Sequence, residues 1–456
     1  MTTPFTAPPI ALSRKDLLTR YFMTGVSAVD PLRLTPSVLR HDAHVVSLSV
    51  AWAPEPIPRK RLKRVFVVGA GKAARVMADA VLRTMGDLVT EGVVVAPKGC
   101  GGALGPIKCI EASSTAPDIG SLAAVYEILA LLEKAGEDDL VIALFSSGGS
   151  AMISSPVDGI TAREKTDMSR LMMQAGVDAH SFDTVCKHIS KVKGGMLARA
   201  AHPATVWALL LSNISGDDPS EIASGPFAPD PTTYADVIGV LERYGLLYST
   251  PMSLRQHFLE GADDRLRDTP KPSDPIFKNV FHAFLGTNRT AMAAISEAAK
   301  KDGAQVLLLP GFLRGEAHDC ARAFCDRMRA AAASLAPRRT AVLIAGGETT
   351  VNVWGNGSGG RSQEFALAAA MKISGVRELA VLAGTTDGVD GPTNAAGAYA
   401  DGSTITRAKA CGLDPRAHLL DNNSHTFFKT LGDLIVTGET GTNVADLVIG
   451  LAHSPA

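Results

Sequence analysis

One pattern recurs along this chain and restricts its fold more than any other feature: a buried-strand run that ends in a glycine-rich turn. Val65-Phe-Val-Val68 leads into Gly69-Ala-Gly-Lys72, and Leu140-Val-Ile-Ala-Leu-Phe145 leads into Ser146-Ser-Gly-Gly-Ser150. Each turn is followed by a segment of helical character. Apolar runs without strict alternation suit parallel strands covered on both faces. The succession continues with strands expected at Val93–Ala96, Ala204–Leu211, His282–Leu285, Gln305–Leu309, Ala341–Ala345, Leu379–Ala383 and Leu434–Thr437. Helices are expected at residues 14–29, Leu122–Lys134, Thr290–Asp302, His318–Leu335 and Ser362–Lys372. Such alternation predicts an α/β protein with open, doubly wound sheets.

A chain of 456 residues exceeds what a single hydrophobic core holds. The alternation breaks at residues 262–276, which carry Asp263-Asp264, Pro270, Pro272 and Pro275. Two doubly wound α/β domains are therefore expected: a Rossmann-like one over residues 1–270 and a second over residues 271–456. Loops at the carboxyl ends of the strands should line an active-site cleft between them.

Formal net charge is 45 − 46 = −1, with no block of like charge, so nucleic acid is not an expected partner. None of the six cysteines forms Cys-x-x-Cys or pairs closely with histidine at zinc spacing, which favours free thiols in a reducing compartment. No leader-like N-terminus is visible, and no uncharged apolar stretch reaches the roughly 20 residues of a membrane helix. A cytoplasmic protein without a membrane partner is expected. The sequence allows a homo-oligomer but does not specify one.

The turns carry the chemistry. A glycine turn between strand and helix exposes backbone N–H groups to an anion. Gly69 and Gly71 fit the looser dinucleotide fingerprint, but the next strand ends at Ala96-Pro97-Lys98, without the acid that holds an NAD ribose. Lys72 inside the turn points instead to a phosphoryl group or a carboxylate; a surface lysine at a helix start is the plainer alternative. Ser147, Gly148, Gly149 and Ser150 read as a phosphate cradle or as a tight structural turn. The cradle lacks the Walker A spacing and the glycine-x-serine-x-glycine elbow of a serine nucleophile. Lys187, Lys191 and Lys193 suit a polyphosphate, or a solvated face. Asp217 follows one strand; Gly347 and Glu348 follow another; Asp387 and Asp390 follow a third. Acids there can hold Mg²⁺, often through water, although turn capping explains any one of them. Arg361 presents a planar fork suited to carboxylate or phosphate, or to a structural ion pair.

Taken in order, Gly69-Ala-Gly-Lys72, Ser146-Ser-Gly-Gly-Ser150, Lys191-Val-Lys-Gly-Gly195, Ser215-Gly-Asp217, Ala223-Ser-Gly-Pro226, Gly346-Gly-Glu-Thr349, Gly359-Gly-Arg-Ser-Gln-Glu364 and Thr386-Asp-Gly-Val-Asp-Gly391 resemble the class II glycerate kinases, whose C-terminal part is the MOFRL domain. The resemblance spans residues 14–451. It implies transfer of the ATP γ-phosphoryl group to the 2-hydroxyl of D-glycerate with a divalent metal, Mg²⁺. It also implies that Lys72 and Arg361 are the important cation pair. Asn213 stands where the family often has aspartate. On this expectation Lys72 and Arg361 are catalytic. Gly69, Gly71, Ser147–Ser150, Lys187, Lys191, Lys193 and Gly347 bind nucleotide, and Asp217, Glu348 and Asp387 bind metal. The rivals are an NAD(P)H-dependent hydroxypyruvate reductase and a non-catalytic sensor of a phosphorylated sugar acid.

Overall fold

The computed structural model describes residues 12–454, and the fold is α/β. The chain divides into two compact units. The first comprises Val29–Thr287 and Gly441–Val444; the second comprises the chain up to Ala28, Asn288–Thr440 and the chain from Ala445.

The expected border between residues 270 and 271 is not where the chain changes unit. Residues 262–276 lie inside the first unit, and the strand after them pairs residue by residue with Val206–Ser212. Backbone groups of a strand must be satisfied by its neighbours. That pairing keeps the chain in the first unit until Thr287.

The first unit opens with a small antiparallel sheet of β1 (Leu39–His41), β2 (Val45–Leu48) and β3 (Ile57–Pro58). Its main sheet holds β4 (Val65–Ala70), β5 (Val89–Ala96), β6 (Gly102–Leu104), β7 (Ile107–Glu111), β8 (Leu140–Phe145), β9 (Thr205–Ser212) and β10 (Val280–Thr287). The order is β10-β9-β8-β4-β5-β7-β6, parallel except for the short edge strand β6. All six residues of β4 and of β8 are buried, as unbroken apolar runs require. Phe66, Val68, Ala70, Val141, Ala143 and Phe145 share one core with Ala124, Val125 and Ile128 of the helix Ile119–Leu132. That helix starts at a capping box between Asp118 and Ser121. A separate helical layer, Ala162–Gln174, Ala179–His188, Tyr234–Arg243 and Met252–Ala262, has its own core around Met168, Val237 and Phe258.

The second unit holds β11 (Gln305–Leu308), β12 (Thr340–Gly347), β13 (Leu379–Thr385), β14 (Gly397–Asp401), β15 (Leu434–Ile435) and β16 (Asp446–His453), in the order β11-β12-β16-β13-β14-β15. Only β11 and β12 run parallel; the other pairs are antiparallel. The parallel pairing of a doubly wound sheet is confined here to β11 and β12, because β16 inserts reversed between β12 and β13. Phe324 and Met328 of the helix Ala317–Ser334 and Phe365 of the helix Arg361–Lys372 pack on one face. The helix Arg14–Ser27 also belongs to this unit. Leu18, Tyr21, Phe22 and Val26 on it are buried. A Cβ on its Gly25 would lie 2.8 Å from Ile295 Cδ1, so the helix packs closely there. No described helix is long and apolar enough to cross a membrane, and all six cysteines are free.

Candidate active site

The strand order of the first sheet reverses between β4 and β8. The chain leaves β4 toward β5 and β7, then returns to β8 on the opposite side. Open α/β sheets bind ligands at the carboxyl ends of the strands that flank such a reversal. The two turns singled out from sequence are the loops after β4 and β8. They are locked to each other. Lys72 N donates to Ser147 O at 2.9 Å, and Ser146 N donates to Ala70 O at 3.2 Å. Ala73 N donates to Ser146 Oγ at 3.0 Å, so a serine of one turn caps the helix Ala74–Met85 that follows the other.

The glycines make this approach sterically feasible. Gly71 has φ +137°, and a Cβ there would overlap the Ser146 hydroxyl and carbonyl. Gly148 has φ +82°, and a Cβ on it would stand 3.5 Å from Lys72 Cγ. Gly71→Ala should therefore lower stability by about 1–3 kcal/mol through backbone strain and loss of the cap. Urea unfolding reads this; an unchanged midpoint would show that the turns are not interlocked.

Lys72 is exposed, Ser147 and Ser150 are partly exposed, and Gly149 is buried. Asn213, in the loop after β9, donates from Nδ2 to Ser147 Oγ at 3.3 Å. Lys193 Nζ donates to Ser150 Oγ at 2.5 Å, and the Ser150 and Ser224 hydroxyls lie 2.9 Å apart. Gly194 N and Gly195 N donate to Ser224 O and Gly225 O at 2.9 and 2.7 Å. Four motifs far apart in sequence thus meet on the serine turn. Asp217 sits at φ +54° in the loop after β9 and is partly exposed.

The three expected lysines do not act together. Lys187 is buried in the last turn of the helix Ala179–His188, where its Nζ lies 3.0 Å from Asp183 and 3.9 Å from Asp230. Lys191 pairs with Asp158 at 2.6 Å. Both charges are already answered by carboxylates, and only Lys193 reaches the serine turn. Sequence reasoning missed Lys165, which is buried beside Lys193. Burial and then repulsion from Lys193 lower its pKa to about 7.

The remaining expected residues lie in the second unit. Arg361 begins the helix Arg361–Lys372. Its Nε and Nη2 donate to the two oxygens of Asp446 at 2.6 and 3.0 Å, and its Nη1 donates to Glu348 Oε1 at 2.6 Å. Burial alone would ease the guanidinium toward losing its proton; Asp446 and Glu348 outweigh that and raise its pKa. Burial lifts Asp446 to about 7, against the pull of Arg361. Asp390, buried, caps the same helix by accepting from Ser362 N at 3.1 Å and Gln363 N at 2.8 Å. Asp387 Oδ1 accepts from Thr385 Oγ1 at 3.0 Å and Val389 N at 3.2 Å. A Cβ on Gly347 would overlap the Leu313 main chain, so close approach of the loop after β11 accounts for that glycine. Asp446 was missed because nothing in the sequence marked β16 as a central strand.

The donor set expected for Mg²⁺ does not form a cage. Among the described residues no group of three or more His, Cys, Asp or Glu side chains is placed to hold a metal ion. Glu348 is committed to Arg361, and Asp387 to its own loop.

Interlocked glycine turns at the switch point place the chain among the open α/β proteins whose strand-end loops are positioned for ligand binding. A family model described as a domain of unknown function, DUF4147, matches residues 17–259, and the MOFRL family model matches residues 341–446. The chain is 37% identical to a D-glycerate 2-kinase of Thermotoga maritima, over 87% of this chain and 93% of that one. It is 36% identical, over 96% and 94%, to an Agrobacterium vitis protein that carries a hydroxypyruvate reductase name. A crystal structure of glycerate kinase from Thermotoga maritima superposes with a TM-score of 0.81 at 34% identity, covering 96% of this chain and 99% of that one. The chain belongs to the MOFRL-domain glycerate kinase family.

Proposed function

We propose that this chain is a glycerate 2-kinase, which transfers the γ-phosphoryl group of ATP to the 2-hydroxyl of D-glycerate and releases 2-phospho-D-glycerate and ADP. The observation that carries this is the pair of interlocked turns at the switch point, with Lys72 exposed on one and Ser147–Ser150 on the other. The same pair argues against a reductase. In a dinucleotide fold the second glycine of the fingerprint leaves room for pyrophosphate. Here that space, beside Gly71, is taken by Ser146.

In the reaction the glycerate 2-oxygen bonds to the γ-phosphorus, the bond to the bridging β–γ oxygen breaks, and the hydroxyl proton leaves. Catalysis then rests on positioning and charge compensation. We assign Lys72 to the transferring phosphoryl group. Ser147–Ser150 and Lys193 are assigned to nucleotide phosphate, and Arg361 to the glycerate carboxylate. Three of the five N–H groups of Arg361 are used by Asp446 and Glu348, which leaves two to donate. Mg²⁺ enters as part of the nucleotide substrate, held by its phosphates. Asp217, the partly exposed acid in the loop after β9, is assigned to its water shell. The cytoplasm, where ATP is plentiful, is the compartment this activity needs.

The test supplies the protein with D-glycerate, ATP and Mg²⁺, and separately with hydroxypyruvate and NADPH. Formation of 2-phosphoglycerate without NADPH oxidation is expected. NADPH oxidation without phosphoglycerate would overturn the kinase assignment.

A further inference from the structure

Lys165 and Lys193 are each 5% exposed. Lys165 Nζ donates to the Ser155 carbonyl at 3.3 Å, and Lys193 Nζ donates to Ser150 Oγ at 2.5 Å. Among the described residues neither ammonium has a carboxylate within ion-pair distance. Lys187, on the adjoining helix, has two within 4 Å. Two buried cations that repel each other, answered only by neutral oxygens, are costly for a folded protein unless an anion joins them. The neighbouring backbone is strained in a way that serves such a ligand. Ala223 and Ser224 both have positive φ, 52° and 63°, which non-glycine residues rarely adopt. That conformation sets the Ser224 hydroxyl beside Ser150.

We propose that Lys165, Lys193, Ser150 and Ser224 form a pocket for a dianionic phosphate group. The proposal extends the kinase assignment, on which it relies only to identify that phosphate as the nucleotide's. Lys165 is a residue that the motifs did not contain. The titratable groups facing it are Lys193 and the Cys186 thiol. Burial raises the thiol pKa, so Cys186 stays neutral near pH 7. Lys165, at about 7 without ligand, is half protonated at neutral pH. A bound dianion favours its charged form, so anion binding takes up a proton. Affinity should be full below pH 7 and fall as pH rises above it.

Sulfate is the probe, because its charge is constant over this pH range. Calorimetry in buffers of different ionisation enthalpy should show proton uptake near pH 7.5 in the wild type. Lys165→Met should bind sulfate about ten- to a hundredfold more weakly at pH 6, with no proton uptake and a flat pH dependence. Lys193→Met should show a similar loss. Lys165→Met should also melt at a higher temperature without ligand, since a buried unpaired charge is removed; that readout confirms folding. Repeating the titration with ATP and with 2-phosphoglycerate should show the loss in Lys165→Met for ATP; a loss for 2-phosphoglycerate alone overturns the identification of that phosphate as the nucleotide's. Absent sulfate binding, or unchanged affinity and proton uptake in a folded Lys165→Met protein, overturns the pocket. The kinase assay is separate. Phosphoglycerate formation without Lys165-dependent binding removes the pocket alone, and Lys165-dependent binding without phosphoglycerate removes the kinase assignment alone.

Discussion

Lys72→Ala should lower kcat by about 10²-fold or more while leaving the fold intact. The size is that of one lost electrostatic contact to charge developing in a transition state. Charge shifts toward the bridging and peripheral oxygens as the γ-phosphoryl group transfers, and an ammonium whose contact strengthens at that moment acts on kcat rather than on KM. The fold should survive because Lys72 is exposed and alanine keeps the backbone N–H that donates to Ser147 O. Lys72→Arg should rescue poorly. The stem runs beside Gly148, and a wide planar head does not replace a compact ammonium in so tight a turn. ATP-dependent 2-phosphoglycerate formation measures the loss, with circular dichroism confirming the fold. Near wild-type turnover in folded Lys72→Ala would remove Lys72 from the mechanism.

The parts legible in the sequence were those set by local chemistry. A fully apolar run ending in glycine leaves little choice but a buried strand and a tight turn, and β4 and β8 lie where those runs are. Helices with strong periodicity, such as Ala317–Ser334 and Arg361–Lys372, fell within a residue or two of expectation. The parts not legible were set by which strand sits beside which. Residues 446–453 form an apolar stretch whose antiparallel place between β12 and β13 is a tertiary fact. Without that strand, Asp446 could not be foreseen as the partner of Arg361. Prolines at 270, 272 and 275 looked like a border because they break periodicity, but breaking periodicity does not separate cores.

The lysines teach a sharper lesson. Lys187 follows Asp183 by four residues, a spacing that pairs opposite charges on one helix face. That signal was in the sequence and outweighs proximity to the glycine motif. Lys191 pairs with Asp158, 33 residues away, which no local pattern announces. Lys165 sits in a helix that begins with a capping box at Thr161 and Glu164, and nothing around it distinguishes it from an exposed lysine. Its burial is a tertiary fact that the local sequence does not announce. Lysines whose charge is met locally are structural by default, and the informative ones are those the fold leaves buried without a carboxylate.

Arg361→Ala should cost about 3–5 kcal/mol of stability, the usual penalty for leaving buried carboxylate charge without its partner. Asp446 loses both of its guanidinium bonds and Glu348 loses one. The loss should depend on pH, with a definite sign. Asp446 has a folded pKa of about 7, above the ordinary carboxylate value. Its proton therefore stabilises the fold in acid, and this contribution is lost as pH rises through about 7. Removing Arg361 takes away the group that pulls this pKa down. Arg361→Ala should then be markedly less stable than wild type at pH 8 and closer to it at pH 5, as urea unfolding at the two values would show. A larger deficit at pH 5 would contradict the pairing. The double variant Arg361→Ala/Asp446→Asn separates stability from catalysis, because the amide no longer needs a cation. Stability at pH 8 should recover substantially while phosphoglycerate formation stays low. Recovery of turnover together with stability would make Arg361 an anchor for Asp446 and Glu348 and end its assignment to the glycerate carboxylate.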